Sequence, residues 1–259
     1  MRIASLSPVV TEILFALEQQ KKIVCRDKNS DFPDGTKMIP VLPEHQKIDP
    51  RDLRECKPDV VFTSGLAQKT LAESLRTDRF GVVHLDPQTL AEILVSIRDI
   101  GTLLDCQPRA EALLATMQQG FNDTKRKAGL FSRRPKVYIE DCSHPPTASG
   151  NWVPEVVKLA GGISLQAVSG ERIEVSSQGR QVSLAEMQAF DADLIVLSIR
   201  GMGSAASKDL LTARDGWNDL RAVRENHVFV IDDALLNRPG PRLVEGTKRI
   251  FGWCFQVMH

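Results

Sequence analysis

Short runs of consecutive apolar residues alternate along the chain with longer stretches in which apolar residues recur every three or four positions. Residues 2–6, 23–25, 60–63 and 82–85 are runs of the first kind and predict buried strands. Val10, Ile13, Leu14 and Leu17 form one apolar helical face. Ser7 and Pro8 open that helix, the first as N-cap and the second in the first turn. Further helices are predicted over 50–56, 67–76 and 88–104. The second half restarts the programme, with strands at 137–139, 194–197 and 228–231 and helices at 153–160, 184–190 and 241–255. Gly161 and Gly162 supply a left-handed stop to the first of these helices. Strands alternating with helices predict parallel sheets covered by helices.

The two halves echo one another. Residues 48–62 read as cap, helix and strand, and residues 182–196 repeat that unit without a gap. Ser183 with Glu186 makes a capping box, and Asp49 with Asp52 is its acidic counterpart. Each helix ends before an aspartate, Asp59 or Asp193, that introduces an apolar strand. The strands at Ile3 and Val137 stand at the same offset, and Val82 to Asp86 resembles Val228 to Asp232. Between the halves, residues 107–129 carry Pro108 in a first turn and an apolar stripe of Ala110, Leu113, Leu114 and Met117, a helix of about 30 Å. The predicted fold is α/β: two Rossmann-like lobes with parallel central sheets, 1–105 and 131–259, joined by a single long backbone helix over 106–130, with a ligand cleft between the lobes. A helical connection lacks the Gly/Ser character of a flexible linker and predicts little hinge motion.

Composition narrows the function classes. Lys+Arg and Asp+Glu both total 33 of 259 residues, a formal charge of zero that lacks the electrostatic footprint of a nucleic-acid binder. No apolar stretch approaches the roughly 20 residues that span a bilayer, so no membrane insertion is expected. Five cysteines, odd in number and without C-x-x-C spacing, predict reduced thiols rather than a disulfide framework or zinc site. Met1 runs straight into a strand pattern instead of a leader, so the chain as written reads as a soluble cytoplasmic monomer; removal of a leader would make it periplasmic or cell-surface.

In open α/β sheets ligands sit at the carboxyl ends of the strands. Those positions here are Ser7-Pro8, Ser64-Gly65, Asp86-Pro87, the Asp141 to His144 run, Arg200-Gly201 and Asp232-Asp233. Aromatic residues are only 5% of the chain, which draws attention to Trp152 at a helix entry and to Phe32 in a loop. Each is either a stacking face for a flat ligand or a packing residue. Trp217 and Trp253 read as packing within the second lobe. Nucleophile-elbow, P-loop and zincin motifs do not occur. Gly201 opens a G-x-G-x-x-A match after a strand, but Asp232 follows too far on for the dinucleotide fingerprint, which needs an acid about 20 residues later. The five histidines are scattered without metal-ligand spacing; His144 suits a ligand contact and His84 suits packing. No catalytic residue and no metal site are expected.

The opening stretch 2–12, Ser30-Asp31-Phe32-Pro33, Lys57-Pro58-Asp59-Val60-Val61, residues 145–150, residues 152–162 and Arg238-Pro239-Gly240-Pro241-Arg242-Leu243 together resemble the helical-backbone (class III) periplasmic binding proteins. These serve ABC importers of cobalamin, haem and ferric siderophores. Residues 152–162 and 238–243 look most like the cobalamin-binding branch. The resemblance implies a corrinoid held without covalent attachment or catalysis, touched by Ser7, Pro8, Phe32, Ser64, Gly65, Leu66, Pro146, Trp152 and Arg238. His144 and Arg200 join them from the strand-end reading. Cobalamin binders of this branch carry a tryptophan where this chain has Ser64. An acidic residue on each lobe docks the importer permease in the family; the first aligns with Gln68, with Glu73 nearby. The alternatives are haem with His144 as axial ligand, a ferric siderophore met by Arg200, Arg238 and Arg26, and an enzyme of corrinoid or cofactor metabolism using Asp141, His144 and Asp232 as acid–base groups.

Overall fold

Five strands pair in the first half: β1 (Ile3–Ser5), β2 (Ile23–Asp27), β3 (Val41–Leu42), β4 (Val60–Ser64) and β5 (Val82–Leu85). They form a wholly parallel sheet in the order β3-β2-β1-β4-β5. The computed structural model describes residues 1–45, 47–168 and 180–259. Helices α1 (Pro8–Ala16), α2 (Pro50–Glu55), α3 (Lys69–Thr77), α4 (Leu90–Leu103) and α5 (Gln107–Ala128) accompany this sheet. One core cluster gathers Ala4, Leu6, Cys25, Val61, Leu53, Leu71 and Leu75, joining strand and helix faces. The short strand at Val41 was not legible as an apolar run, because Pro40 and Pro43 bracket it.

The second half holds β6 (Lys136–Ser143), β7 (Pro146–Ala148), β8 (Ile163–Ser164), β9 (Arg180–Gln181), β10 (Leu194–Leu197) and β11 (Val228–Val230). Here β8, β6, β10 and β11 run parallel, while β7 lies antiparallel on β6 and β9 antiparallel on β7. The second sheet is therefore mixed, with a parallel centre and an antiparallel extension that the apolar pattern did not signal. Its helices are α6 (Val153–Leu159), α7 (Leu165–Val168), α8 (Leu184–Phe190), α9 (Asp209–Thr212), α10 (Arg221–Arg224) and α11 (Leu243–Gln256). Tyr138, Met187, Phe190, Ile195, Leu211 and Trp217 belong to its core cluster. Gly161 ends α6 with φ of 90°, the left-handed stop expected of it.

The echo in the sequence is an echo in register. Ile3 pairs with Val60 and Ala4 with Val61; Val137 pairs with Leu194 and Tyr138 with Ile195. The aspartates before β4 and β10 make the same lock in both halves. Asp59 Oδ2 accepts from the Arg2 amide at 2.6 Å, and Asp193 Oδ2 accepts from the Lys136 amide at 2.7 Å. Each aspartate amide donates back, to Arg2 O and Lys136 O, at 2.8 Å in both cases. The carboxylate thus clips the entry of one strand to the entry of its neighbour.

By internal contacts the chain divides into Met1–Thr116 with Pro239–Pro241, and Met117–Arg238 with Arg242–His259. The change of unit falls inside α5. This helix buries Ala110, Leu114, Met117, Phe121 and Ala128, spaced alternately four and three apart until the last full repeat. Close backbone approach serves each half of it. A Cβ on Gly101 would stand 2.4 Å from Ala110 Cβ, and one on Gly120 would stand 2.4 Å from Val244 Cγ1.

Caps behave as their chemistry dictates. Ser183 and Glu186 form the full reciprocal box, whereas Asp49 accepts from Arg51 N and not from the third helical residue. The Glu186 carboxylate accepts the Ser183 amide and is bonded by Arg180 and the Ser183 hydroxyl, which hold its pKa down at about 2. Ser183→Ala is expected to cost about 1 kcal/mol in urea unfolding at neutral pH. Because the folded pKa is depressed, the stabilisation from Glu186 is present above the ordinary carboxylate range and is lost only as pH falls through about 2.

Candidate ligand-binding loops

In the first unit the carboxyl ends of β1, β2 and β4 are tied together by buried hydroxyls and one amide. Ser7, at the N-cap of α1, makes no capping bond; its Oγ lies 2.5 Å from Ser64 Oγ at the end of β4. Thr11 Oγ1 bonds Ser5 Oγ at 2.8 Å and Ser30 Oγ at 2.9 Å, and Ser30 in turn donates to Asp27, which also holds His45 Nδ1. Asp27, Ser30 and Thr11 have no exposed surface, so this chain of bonds braces the loops from beneath. After Ser64, Gly65 takes φ of 71°, a left-handed turn that suits glycine, and its amide donates to Leu85 O. Leu66 then stands 45% exposed and Phe32 43% exposed at the loop surfaces, while Pro8 is half-buried.

Gln68 stands where the resemblance places a docking acid, and it has a structural role instead. It is fully buried, its Nε2 donating to Leu6 O at 2.6 Å and His45 O at 2.8 Å while its Oε1 accepts from Ser64 N. It therefore fixes the ends of β1 and β4 and cannot be the surface docking residue with which it was aligned. Glu73, one turn into α3, is exposed. His84 packs half-buried with Nδ1 2.9 Å from Thr63 Oγ1, and burial lowers its pKa.

In the second unit, β6 carries two acids past the point where the apolar run ends. Glu140 has no exposed side-chain surface and takes Arg214 at 2.8 and 2.6 Å and the Tyr138 hydroxyl at 3.0 Å. Burial and the Glu140 carboxylate push the Tyr138 phenol well above its ordinary pKa. The Arg214 guanidinium also donates to Ser143 O at 2.9 Å and lies 4.6 Å over the Trp217 ring. Asp141, 2% exposed, receives Arg200 Nη2 at 2.6 Å, and the Arg200 amide donates to Asp141 O. Burial raises the Asp141 pKa, opposed by Arg200.

The remaining predicted residues fall around these pairs. His144 is exposed, its Nδ1 3.1 Å from Ser143 Oγ, and Pro146 opens β7. Trp152 is 7% exposed and its indole N–H donates to Leu236 O at 2.7 Å, which makes it a packing residue of its own unit, the second of its two readings. Asp232 accepts from Ala234 N, and Asp233 accepts from Gly201 N and Gly203 N, so the glycine pair after β10 is closed by a carboxylate and not poised for a phosphate. Arg238 is half-buried and engaged, and Met202 is 38% exposed. Asp141, His144 and Asp232 have separate partners and form no hydrogen-bonded acid–base group. A cavity of about 330 Å³, lined in part by Met187, Ile195, Leu220, Arg221 and Arg224, lies at the amino ends of β10 and β11 and includes none of the predicted residues.

Among the described residues no group of three or more His, Cys, Asp or Glu side chains is placed to hold a metal ion. All five cysteines are free thiols, with Cys254 pushed up to about 12 by burial. No helix of the described residues is long and apolar enough to cross a membrane. What the strand-end loops offer is a set of hydrogen-bond donors and acceptors fixed from below, with apolar side chains standing among them.

Comparison with known proteins gives one family. A periplasmic binding protein model matches residues 3–235. An uncharacterized ABC transporter substrate-binding lipoprotein of Bacillus subtilis is 24% identical over 96% of this chain and 78% of its own length. A vitamin B12-binding protein of Vibrio cholerae is 26% identical over 96% of this chain and 87% of its own. A periplasmic heme-binding protein of Roseiflexus superposes with a TM-score of 0.85 at 22% identity, covering 100% of this chain and 99% of the other. Two α/β units, the parallel first sheet and mixed second sheet, and the family match over nearly the whole length agree: this chain belongs to the periplasmic binding protein family, in its helical-backbone class.

Proposed function

We propose that this protein is a non-catalytic substrate-binding protein for a corrinoid, a large, flat, amide-fringed ring. The observation that carries the reading is the pattern of the strand-end loops. Phe32, Leu66 and Met202 expose apolar surface there, and the same loops carry hydroxyls, an amide and the Arg200–Asp141 and Arg214–Glu140 pairs. Apolar surface with a few fixed donors suits a ligand whose ring is hydrophobic and whose periphery is polar but largely uncharged. The kinship with a vitamin B12-binding protein over 96% of the chain supports it. Ser7, Pro8, Ser64 and Gly65 in the first unit, and His144, Pro146, Arg200 and Arg238 in the second, complete the proposed contacts. Trp152 supports its loop from within. An importer permease would meet Glu73 and not Gln68 on the first unit.

A haem reading has one specific observation in its favour, the exposed His144 imidazole, and the fold is shared with a heme-binding protein. Absorbance titration with cyanocobalamin, dicyanocobinamide and haemin separates the two. The expected result is corrinoid binding with Kd of about 1 µM or tighter, weakened by Phe32→Ala and by Leu66→Ala and weakened but retained in His144→Ala. Binding of haemin alone, lost in His144→Ala, would replace the corrinoid reading with haem.

A further inference from the structure

The Arg200–Asp141 pair deepens that reading. Arg200 is the exposed arginine at the end of β10, with 53% of its side chain open to solvent, and in isolation it would be a cation for a ligand carboxylate. It is not in isolation. Asp141 projects from β6, 2% exposed, and receives Arg200 Nη2 at 2.6 Å; the backbones of the two residues are tied as well, Arg200 N to Asp141 O at 3.1 Å. A buried carboxylate with this one cationic partner holds it tightly, because losing it would leave an uncompensated charge. The neighbouring acids reinforce the balance. Glu140 is neutralised by Arg214, and Asp233 reaches across to the Gly201 and Gly203 amides beside Arg200. The guanidinium keeps donors beyond Nη2, so it still gives hydrogen bonds, but as half of a neutral pair.

We propose that Asp141 is a specificity-determining residue: by neutralising Arg200 it makes the second unit's loops accept a ring fringed with amides and reject the same ring fringed with carboxylates. Amide oxygens accept from the pair without bringing charge. A carboxylate fringe would meet the Asp141, Asp232 and Asp233 carboxylates with Arg200 already committed. The inference rests on the corrinoid reading above, and it names the feature of the ligand that is selected.

The test compares dicyanocobinamide, whose ring carries amides, with dicyanocobyrinic acid, the same ring with free carboxylates, by absorbance titration at neutral pH. The wild type is expected to prefer the amide ring. Asp141→Asn, nearly the same shape but without the charge, is expected to tighten binding of the carboxylate ring by about tenfold or more, the worth of one charge-assisted hydrogen bond, and to change amide-ring affinity little. Adding Arg200→Gln to Asp141→Asn should abolish that gain. Circular dichroism melts confirm that each variant is folded, and Asp141→Glu, which restores the charge, should restore the wild-type preference. A wild type that prefers the carboxylate ring, or an Asp141→Asn that leaves the two affinities as they were, overturns the inference while leaving corrinoid binding intact. Binding of neither ring overturns both readings.

Discussion

Arg214→Ala is expected to destabilise the second unit by about 3–5 kcal/mol, the cost of leaving a buried charge without its partner. Glu140 has no exposed side-chain surface, and its two oxygens are held by Arg214 at 2.6 and 2.8 Å. Removing the guanidinium strands that carboxylate between strands and leaves the Ser143 carbonyl without the bond that the same group donates to it. The measurement is convenient because Trp152, Trp217 and Trp253 all lie in the second unit, so tryptophan emission during urea unfolding follows that unit. Replacing both partners by apolar residues, Glu140→Leu with Arg214→Met, should cost less than Arg214→Ala alone, since no charge is then stranded. The residual loss would come from the Tyr138 hydroxyl, which donates to Glu140. A loss below about 1 kcal/mol for Arg214→Ala, the range of a surface ion pair, would contradict the buried geometry.

The second large effect comes from the paired aspartate locks, which share a backbone role but not an environment. Asp193 is 6% exposed and accepts from Lys136 N, from Arg133 at 2.9 and 3.0 Å and from Arg221 at 3.1 Å. Asp59 makes the equivalent bond to Arg2 N with 59% of its side chain exposed. Asp193→Ala is expected to cost about 2–3 kcal/mol, as for hydrogen bonds to a charged group, held below the full buried-pair penalty because Arg133 and Arg221 can rehydrate. Asp59→Ala should cost no more than about 1 kcal/mol. Tryptophan emission reads the first variant and far-UV circular dichroism the second. Burial raises the Asp193 pKa, but Arg133, the Lys136 amide and Arg221 outweigh it and leave the carboxyl below its ordinary value. Its contribution is therefore present at neutral pH and is lost as pH falls below about 4. The stability gap between wild type and Asp193→Asn should narrow in that acid range and nowhere above it. Equal losses for the two alanine variants would deny the difference in environment.

Where apolar periodicity was strong, sequence and structure agree closely: Val82–Leu85, Leu194–Leu197 and Leu184–Phe190 have the same bounds in both. The failures have a common physical origin in distant partners. The strand at Val137 reads as ending before Glu140 because two consecutive acids do not belong in a buried strand. It continues to Ser143 because Arg214 and Arg200, far along the chain, neutralise them. Likewise the bracing role of Gln68 has no sequence signal, because the Leu6 and His45 carbonyls it bonds come from distant parts of the chain. The strands at Pro146 and Arg180 are short, polar or proline-led, and take their existence from pairing rather than from burial of an apolar run. The strand-end rule names positions without telling which of them face outward, and Asp141 to Ser143, read as a loop, belong to β6. Trp152 and Phe32 are both loop aromatics in the sequence, and only Phe32 exposes its ring substantially.

The segment Pro239–Pro241 clusters with the first unit although every residue around it in the chain belongs to the second. Gly240 is buried there, and a side chain on it would meet Val9 Cγ2 at 2.9 Å. On the ribosome this separates birth order from completion order. Domains made first normally finish folding first, but the amino-terminal unit takes in a segment translated after most of the second unit. Until that segment is made, Val9 of α1 lacks the neighbour that Gly240 provides, so the first unit stays incomplete while most of the second is synthesised.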